Sequence, residues 1–344
     1  MSALGIKKSV MTTDIETQGQ QRQEAGSPIR VVVIGGGSGL SVVLRGLKRF
    51  VGHEVADLTA VVTVSDDGGS SGRLRRDLGV LPPGDIRNCI VALADDEALL
   101  SRLFQYRFPG DSGLGGHSFG NLLLTALTGV TGDFAHAIAT AESILSVRGH
   151  ILPATLEQVH LRGLGRSGKS YEGESAVGAS AEPLVEVTLE PANTAAYQPA
   201  VQAILAADLV VLGPGSLYTS VLANLLIPGI CSAVNATRAR VILPLNLMTQ
   251  PGETDGLDGD HHLLAVASAL EHGVLDAVLV ADHEPTTEQL QAYTALGAAP
   301  VTVDETVAAK VGASVLPRDL LDDGALIRHH PEKLGRVLVE LASS

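Results

Sequence analysis

The sequence has 344 residues, 45% of them hydrophobic but only 3% aromatic, and it contains no tryptophan. That apolar content is ample for a large core, filled mainly by Ala, Val, Leu and Gly. A formal net charge of −14 at pH 7 argues against a general binder of nucleic acid or anionic membrane, whose far field it would meet with repulsion.

Residues 1–28 are polar, rich in Gln, Glu, Thr and Ser, and lack periodicity. They predict a disordered tail ahead of one α/β domain over residues 29–344. The tail has no apolar stretch of signal-peptide type, and no run in the chain is long enough to insert into a membrane. Cys89 and Cys231 fit no metal spacing. Reduced thiols in a cytoplasmic protein are the expectation.

Arg30 to Ile34 reads as a buried parallel strand. Gly35-Gly36-Gly37-Ser38-Gly39 follows, then a helix carrying Leu40, Val43, Leu44 and Leu47. A second strand over residues 59–64 runs into Asp66-Asp67-Gly68-Gly69. Asp85 is expected as the N-cap of a helix that buries Ile86, Cys89, Ile90 and Leu93. Another helix begins near His117. Residues 148–191 change to short alternating runs around a Gly/Ser-rich hairpin, which predicts a small β-rich insertion. The α/β pattern then resumes with a strand over residues 208–212, the loop Gly213-Pro214-Gly215-Ser216 and a helix from Leu217. Further strands end at Asn246 and include residues 278–280, and a helix around residues 334–341 closes the chain. This alternation predicts a Rossmann-like, mostly parallel sheet with helices on both faces. Ligands of such sheets collect beyond the carboxyl ends of the strands, where the strand order reverses.

Those ends carry the candidate site. The Gly35–Gly39 turn brings backbone close to a phosphate, and the helix after it offers unpaired amides and a partial positive charge. Leu40 stands where a dinucleotide fingerprint would have its third glycine, which disfavours a nicotinamide oxidoreductase. Gly213, Gly215 and Ser216 form a second strand-to-helix loop, and Thr219 follows on its helix. Two such loops on one edge suit a diphosphate. Asp66 and Asp67 can hold a ribose hydroxyl, or Mg²⁺ against a diphosphate; adjacent side chains diverge, so one of the two should face the site. Asn88, His117, Asn121 and Asn246 sit at helix starts or a strand end, placed to read a base or sugar.

Two patterns mislead. Gly163 to Ser170 satisfies the Walker A spacing, but no apolar helical stripe follows, so a hairpin tip is expected. His261-His262 lacks the spacing of a zinc-binding helix.

Taken together, the segments VVVIGGGSGLSVVLRGLK, VVTVSDDGGSSGRLRRDLGVLPPGDIRNCIVALAD, GGHSFGNLLLTALTG, VLGPGSLYTSVLANLL and NLMTQPGET resemble the gluconeogenesis factor (YvcK-like) family. That family is a branch of the superfamily named for CofD, the 2-phospho-L-lactate transferase. The resemblance implies a Rossmann-like sheet and a nucleotide-sugar ligand such as UDP-N-acetylglucosamine. It also implies a role in cell shape and envelope growth on gluconeogenic carbon sources, with a regulatory protein partner and a homo-oligomeric state as further expectations. In the transferase branch the counterpart of the Asp66-Asp67 loop holds a divalent metal. The alternative is therefore a Mg²⁺-dependent transferase of that type, using a nucleotide-diphosphate donor.

Overall fold

The computed structural model describes residues 27–343 apart from positions 96, 111, 112 and 181. The tail expectation falls almost wholly outside these residues.

Ten strands follow in chain order: β1 Ile29–Gly35, β2 Val55–Val62, β3 His150–Pro153, β4 His160–Gly165, β5 Ser170–Glu172, β6 Leu184–Glu190, β7 Leu209–Leu212, β8 Arg240–Pro244, β9 Ala277–Ala281 and β10 Ser314–Arg318. Seven of them make one sheet in the order β10-β9-β8-β7-β1-β2-β3, and every pairing in it is parallel. The central strands are buried nearly throughout because both faces are covered, which is why β1 and β7 read as continuous Val, Ile and Leu rather than alternating.

The connection from β1 to β2 steps one way across the sheet and that from β7 to β8 steps the other. Right-handed crossovers then place the two intervening helices on opposite faces. Helix Gly37–Leu47 packs against Gly84–Leu93 and the closing helix Pro331–Ala342, whereas Gln198–Ala206 packs against Pro228–Ala236. The strand order therefore reverses between β1 and β7.

Three local expectations change. His150–Pro153 pairs with β2 in the main sheet, so the separate antiparallel sheet, β5-β4-β6, begins only at His160. Asp85 is not a cap: helix Gly84–Leu93 starts from Pro83, and the Asp85 carboxyl is buried under the first glycine loop. Helix Phe119–Thr131 is capped by Ser118, which leaves His117 just outside it. The Walker-like segment forms the β4–β5 hairpin, and only a four-residue helix, Glu174–Val177, comes after it.

Candidate functional site

Because β1 pairs with β7, both glycine loops emerge at the same sheet edge. They touch. A Cβ on Gly39 would overlap the Pro214 carbonyl and lie 3.1 Å from the Gly215 Cα, so only glycine lets the first helix start this close to the second loop. Asn246, two residues beyond β8, fastens the second loop from the far side. Its Oδ1 accepts from the Gly215 amide at 3.1 Å, and its Nδ2 donates to the Gly215 carbonyl at 2.8 Å. Buried Asn224 ties the helical segment after the second loop to the end of β1 by donating to the Gly35 carbonyl at 3.1 Å.

A cleft of about 600 Å³ opens above these contacts, within the range of small-molecule sites. Gly36, Gly37, Ser38, Gly39, Gly215 and Ser216 line it, with Asn246 at their edge. Gly35 and Gly213 end or follow the buried strands below and do not line it. Across the cleft, Met248, Tyr293, Ala298 and Ile327 supply apolar surface. Arg45, Gln250, Arg328 and His329 add polar groups. The segment carrying Met248 and Thr249 is held against residues 299–301: Thr249 donates its amide to the Ala299 carbonyl at 2.8 Å, and its hydroxyl accepts from the Ala299 amide at 2.9 Å.

The two helix starts are not equivalent anion cradles. In the first, the Gly37 amide donates to the Asp85 carboxyl, while the amides of Ser38 and Gly39 have no partner among the described residues. In the second, the buried Glu253 carboxylate already occupies the donors. Its Oε1 accepts from the amides of Tyr218 at 3.0 Å and Thr219 at 3.2 Å, and the hydroxyls of Ser216 and Thr219 also donate to it. Thr219 thus faces Glu253 rather than the cleft. The expectation that both loops present free helix amides is corrected: an internal carboxylate neutralises the second helix start, and Leu217–Leu222 is a π-helix.

The acidic residues gather on the other flank of the first loop. Asp66 Oδ1 accepts from the Gly68 amide at 2.9 Å. Asp67 turns away, accepting from the Ser175 amide at 2.9 Å and the Ser175 hydroxyl at 2.6 Å, and so docks the small antiparallel sheet's helix. Burial, reinforced by Asp66, pushes the Asp85 carboxyl up to about 6. Burial, reinforced by Asp66 and Asp67, pushes Glu174 up to about 8. Hard carboxylate oxygens suit Mg²⁺. Asp67 is committed to Ser175, and Asp66, Asp67 and Asp85 do not line the cleft. Among the described residues, the three protein ligand groups that converge within 4.8 Å are Asp282, His283 and Asp319, exposed and beyond β9 and β10.

Asn88, His117 and Asn121 form a third group. The Asn121 Nδ2 donates to the Ser70 hydroxyl at 3.1 Å, and that hydroxyl lies 3.0 Å from His117 Nδ1. Burial, aided by Arg73, lowers the His117 pKa, which suits the neutral ring as acceptor of the Ser70 proton. Arg87 donates to the Ser118 hydroxyl and to Asn88 Oδ1, both at 2.8 Å. These residues brace helix Gly69–Leu78 against helix Phe119–Thr131 and do not line the cleft.

The family profile described as 2-phospho-L-lactate transferase CofD matches residues 31–321. The chain belongs to the CofD family. Within this family it is similar to proteins called gluconeogenesis factors. One from Halalkalibacterium halodurans is 45% identical over 312 residues, spanning 90% of this chain and 95% of that protein. Another, from Bacillus subtilis, is 41% identical over 317 residues, spanning 92% of this chain and 99% of that one. A crystal structure of a Bacillus halodurans protein superposes with a TM-score of 0.87 at 43% identity, covering 91% of this chain and all of that one (100%). The chain is thus a gluconeogenesis-factor-type member of the CofD family, with the Rossmann-like fold its sequence predicts.

In this CofD-family chain, sequence reasoning missed Arg45, Tyr293, Arg328 and His329 as cleft residues. The last three lie in the final sixth of the chain, and no local spacing relates them to the glycine loops. Glu253 was visible within NLMTQPGET, but nothing in its neighbours signals that it will fold under a helix start.

Proposed function

We propose that this chain binds a nucleotide sugar of the UDP-N-acetylglucosamine type in the cleft at the β1/β7 switch point, as a cytoplasmic ligand-sensing gluconeogenesis factor. Its biological role would then be in cell shape and envelope growth under gluconeogenic conditions. The observation that carries this reading is the single cleft walled by both glycine loops. The free amides of Ser38 and Gly39 and the guanidinium of Arg328, which makes no ion pair among the described residues, suit a diphosphate. Tyr293 and the apolar residues around it suit a base or sugar face. A thermal-shift panel of nucleotide sugars, with and without Mg²⁺, tests it. Native-state binding at 100 times Kd stabilises by about 2.7 kcal/mol, so a matching ligand should raise the Tm by several degrees. No shift with any member at millimolar concentration would refute the reading.

The clustered carboxyls of Asp66, Asp85 and Glu174 beside the first loop favour a second reading, a Mg²⁺-dependent transferase acting on a nucleotide-diphosphate donor. It would work by positioning and charge neutralisation. It requires turnover of guanylyl phospholactate with a deazaflavin acceptor that Asp66→Asn abolishes. Binding without turnover favours the sensor.

A further inference from the structure

The cleft and the pocket beside it differ in charge. No carboxylate lines the 600 Å³ cleft, although the chain carries 38 acidic residues. The charged side chains there are the guanidiniums of Arg45 and Arg328. A second pocket, of about 150 Å³, lies at the carboxyl ends of β8 and β9, and Asn246 and Leu247 line both. That volume holds a single six-membered ring. Its walls are fixed by the fold: the Leu245 amide donates to the Leu279 carbonyl at 2.9 Å, and the Val301 amide donates to the Leu247 carbonyl at 3.1 Å.

Val280, Pro285 and Val301 give the second pocket an apolar side. Asp282, His283 and Glu284 give it a polar one, and all three are exposed, so a ligand can reach them. The fold leaves acceptors there unused. Asp282 Oδ1 lies 2.6 Å from His283 Nδ1, but Asp282 Oδ2 has no partner among the described residues. Glu284 makes neither a hydrogen bond nor an ion pair among them. Ionised carboxylates only accept, so they suit ring hydroxyls and oppose the carbonyls of a base or a further anion. The apolar side suits the C–H face of the same ring. Tyr293, in the cleft, offers a different surface. Its hydroxyl donates to the Ile327 carbonyl at 3.3 Å and accepts from the Ile327 amide at 3.1 Å, which commits the polar tip and leaves the ring for a planar base.

We propose that the pocket between β8 and β9 is the sugar subsite, in which Asp282 and Glu284 select a neutral, hydroxyl-rich ring and reject one that carries a carboxylate, while the base lies against Tyr293 in the cleft. This rests on the nucleotide-sugar reading above and adds to it which end of the ligand goes where and what class of sugar is taken.

The test is calorimetry on the full chain with UDP, UDP-glucose and UDP-glucuronate; the two sugars differ only in a hydroxymethyl group replaced by a carboxylate. UDP-glucose should bind about tenfold more tightly than UDP, through hydroxyls donated to charged acceptors. UDP-glucuronate should fall to the level of UDP or below it at low salt, and the gap should narrow as salt screens the repulsion. Asp282→Asn combined with Glu284→Gln should shrink the preference for glucose over glucuronate to about twofold or less, and Glu284→Lys should reverse it. Both positions are exposed, so the variants should keep the wild-type Tm. Equal wild-type affinity for the two sugars, a sugar that adds nothing to UDP, or a preference that these variants leave unchanged would overturn this inference and leave the nucleotide-sugar reading standing. Absence of binding by all three nucleotides at millimolar concentration would overturn both.

Discussion

Asn246 is the most informative single residue to change, because it holds the second glycine loop by two opposed hydrogen bonds to one residue, Gly215. In Asn246→Ala both bonds disappear. Each neutral hydrogen bond contributes about 1 kcal/mol net, so their sum is about 2 kcal/mol. Gly215 is only half-buried, so water re-solvates its amide and carbonyl and the full penalty of an unsatisfied group does not apply. With an unfolding entropy of about 2.1 cal/mol/K per residue, a chain of this size shifts by about 1.5 °C per kcal/mol, so the Tm should fall by about 3 °C. Asn246→Asp separates the structural effect from the electrostatic one. Its carboxylate still accepts from the Gly215 amide, but its second oxygen faces the Gly215 carbonyl and adds a negative charge at the cleft edge. Stability should fall about as much as in the alanine variant, whereas affinity for UDP-N-acetylglucosamine should fall much further, by about 100-fold at low salt and less at high salt. Thermal denaturation and calorimetry measure the two effects on the same samples. If Asn246→Asp binds the nucleotide as tightly as wild type, the second loop does not border the phosphates and the reasoning fails.

Two further outcomes follow from the buried acids. Glu253→Gln keeps the shape of the side chain but loses acceptor capacity for the Tyr218 and Thr219 amides and the two hydroxyls, and should cost about 1–3 kcal/mol in denaturant unfolding; an unchanged midpoint would contradict the assigned network. Asp85 and Glu174 have folded-state pKa values raised from 3.8 to about 6 and from 4.5 to about 8, so the folded chain holds protons that the unfolded chain has released. Their contribution is therefore fully present below about pH 4 and is lost as pH rises toward 8. The Tm of wild type should decline across that window relative to Glu174→Gln, and Mg²⁺ should recover stability at pH 8 but not at pH 5. Parallel curves for wild type and variant, or an effect of Mg²⁺ equal at both pH values, would count against the acidic cluster as described.

How much of this was legible in the sequence follows from how local each feature is. The strand–loop–helix units at Gly35–Gly39 and Gly213–Ser216 declare themselves because a buried parallel strand, a glycine turn and an amphipathic helix are each short-range patterns. Their meeting at one edge was also legible, since alternating strands and helices dictate a parallel sheet with a switch point. His150–Pro153 was misplaced because four residues carry too little periodicity to separate a main-sheet edge strand from the hairpins that follow it. Asp85 was read as a cap from its neighbours Pro83 and Gly84, yet its carboxyl is claimed by Gly37, which lies far off in sequence. The same holds for Glu253 under Tyr218 and for His329 beside Leu245: each depends on a contact the local pattern does not encode. The site therefore looked more open to anions from sequence than it is, because amides were visible and the carboxylates that occupy them were not.

Backbone hydrogen exchange of the full chain, with and without saturating UDP-N-acetylglucosamine, tests the central claim most directly, since it reports where the ligand sits as well as whether it binds. Residues 36–40, 246–250 and 327–330 should exchange more slowly together on addition of ligand, while the Ser70–His117 region, which lies outside the cleft, should change little. Protection confined to other segments, or none at a concentration that saturates calorimetric binding, would contradict a ligand held between the two glycine loops.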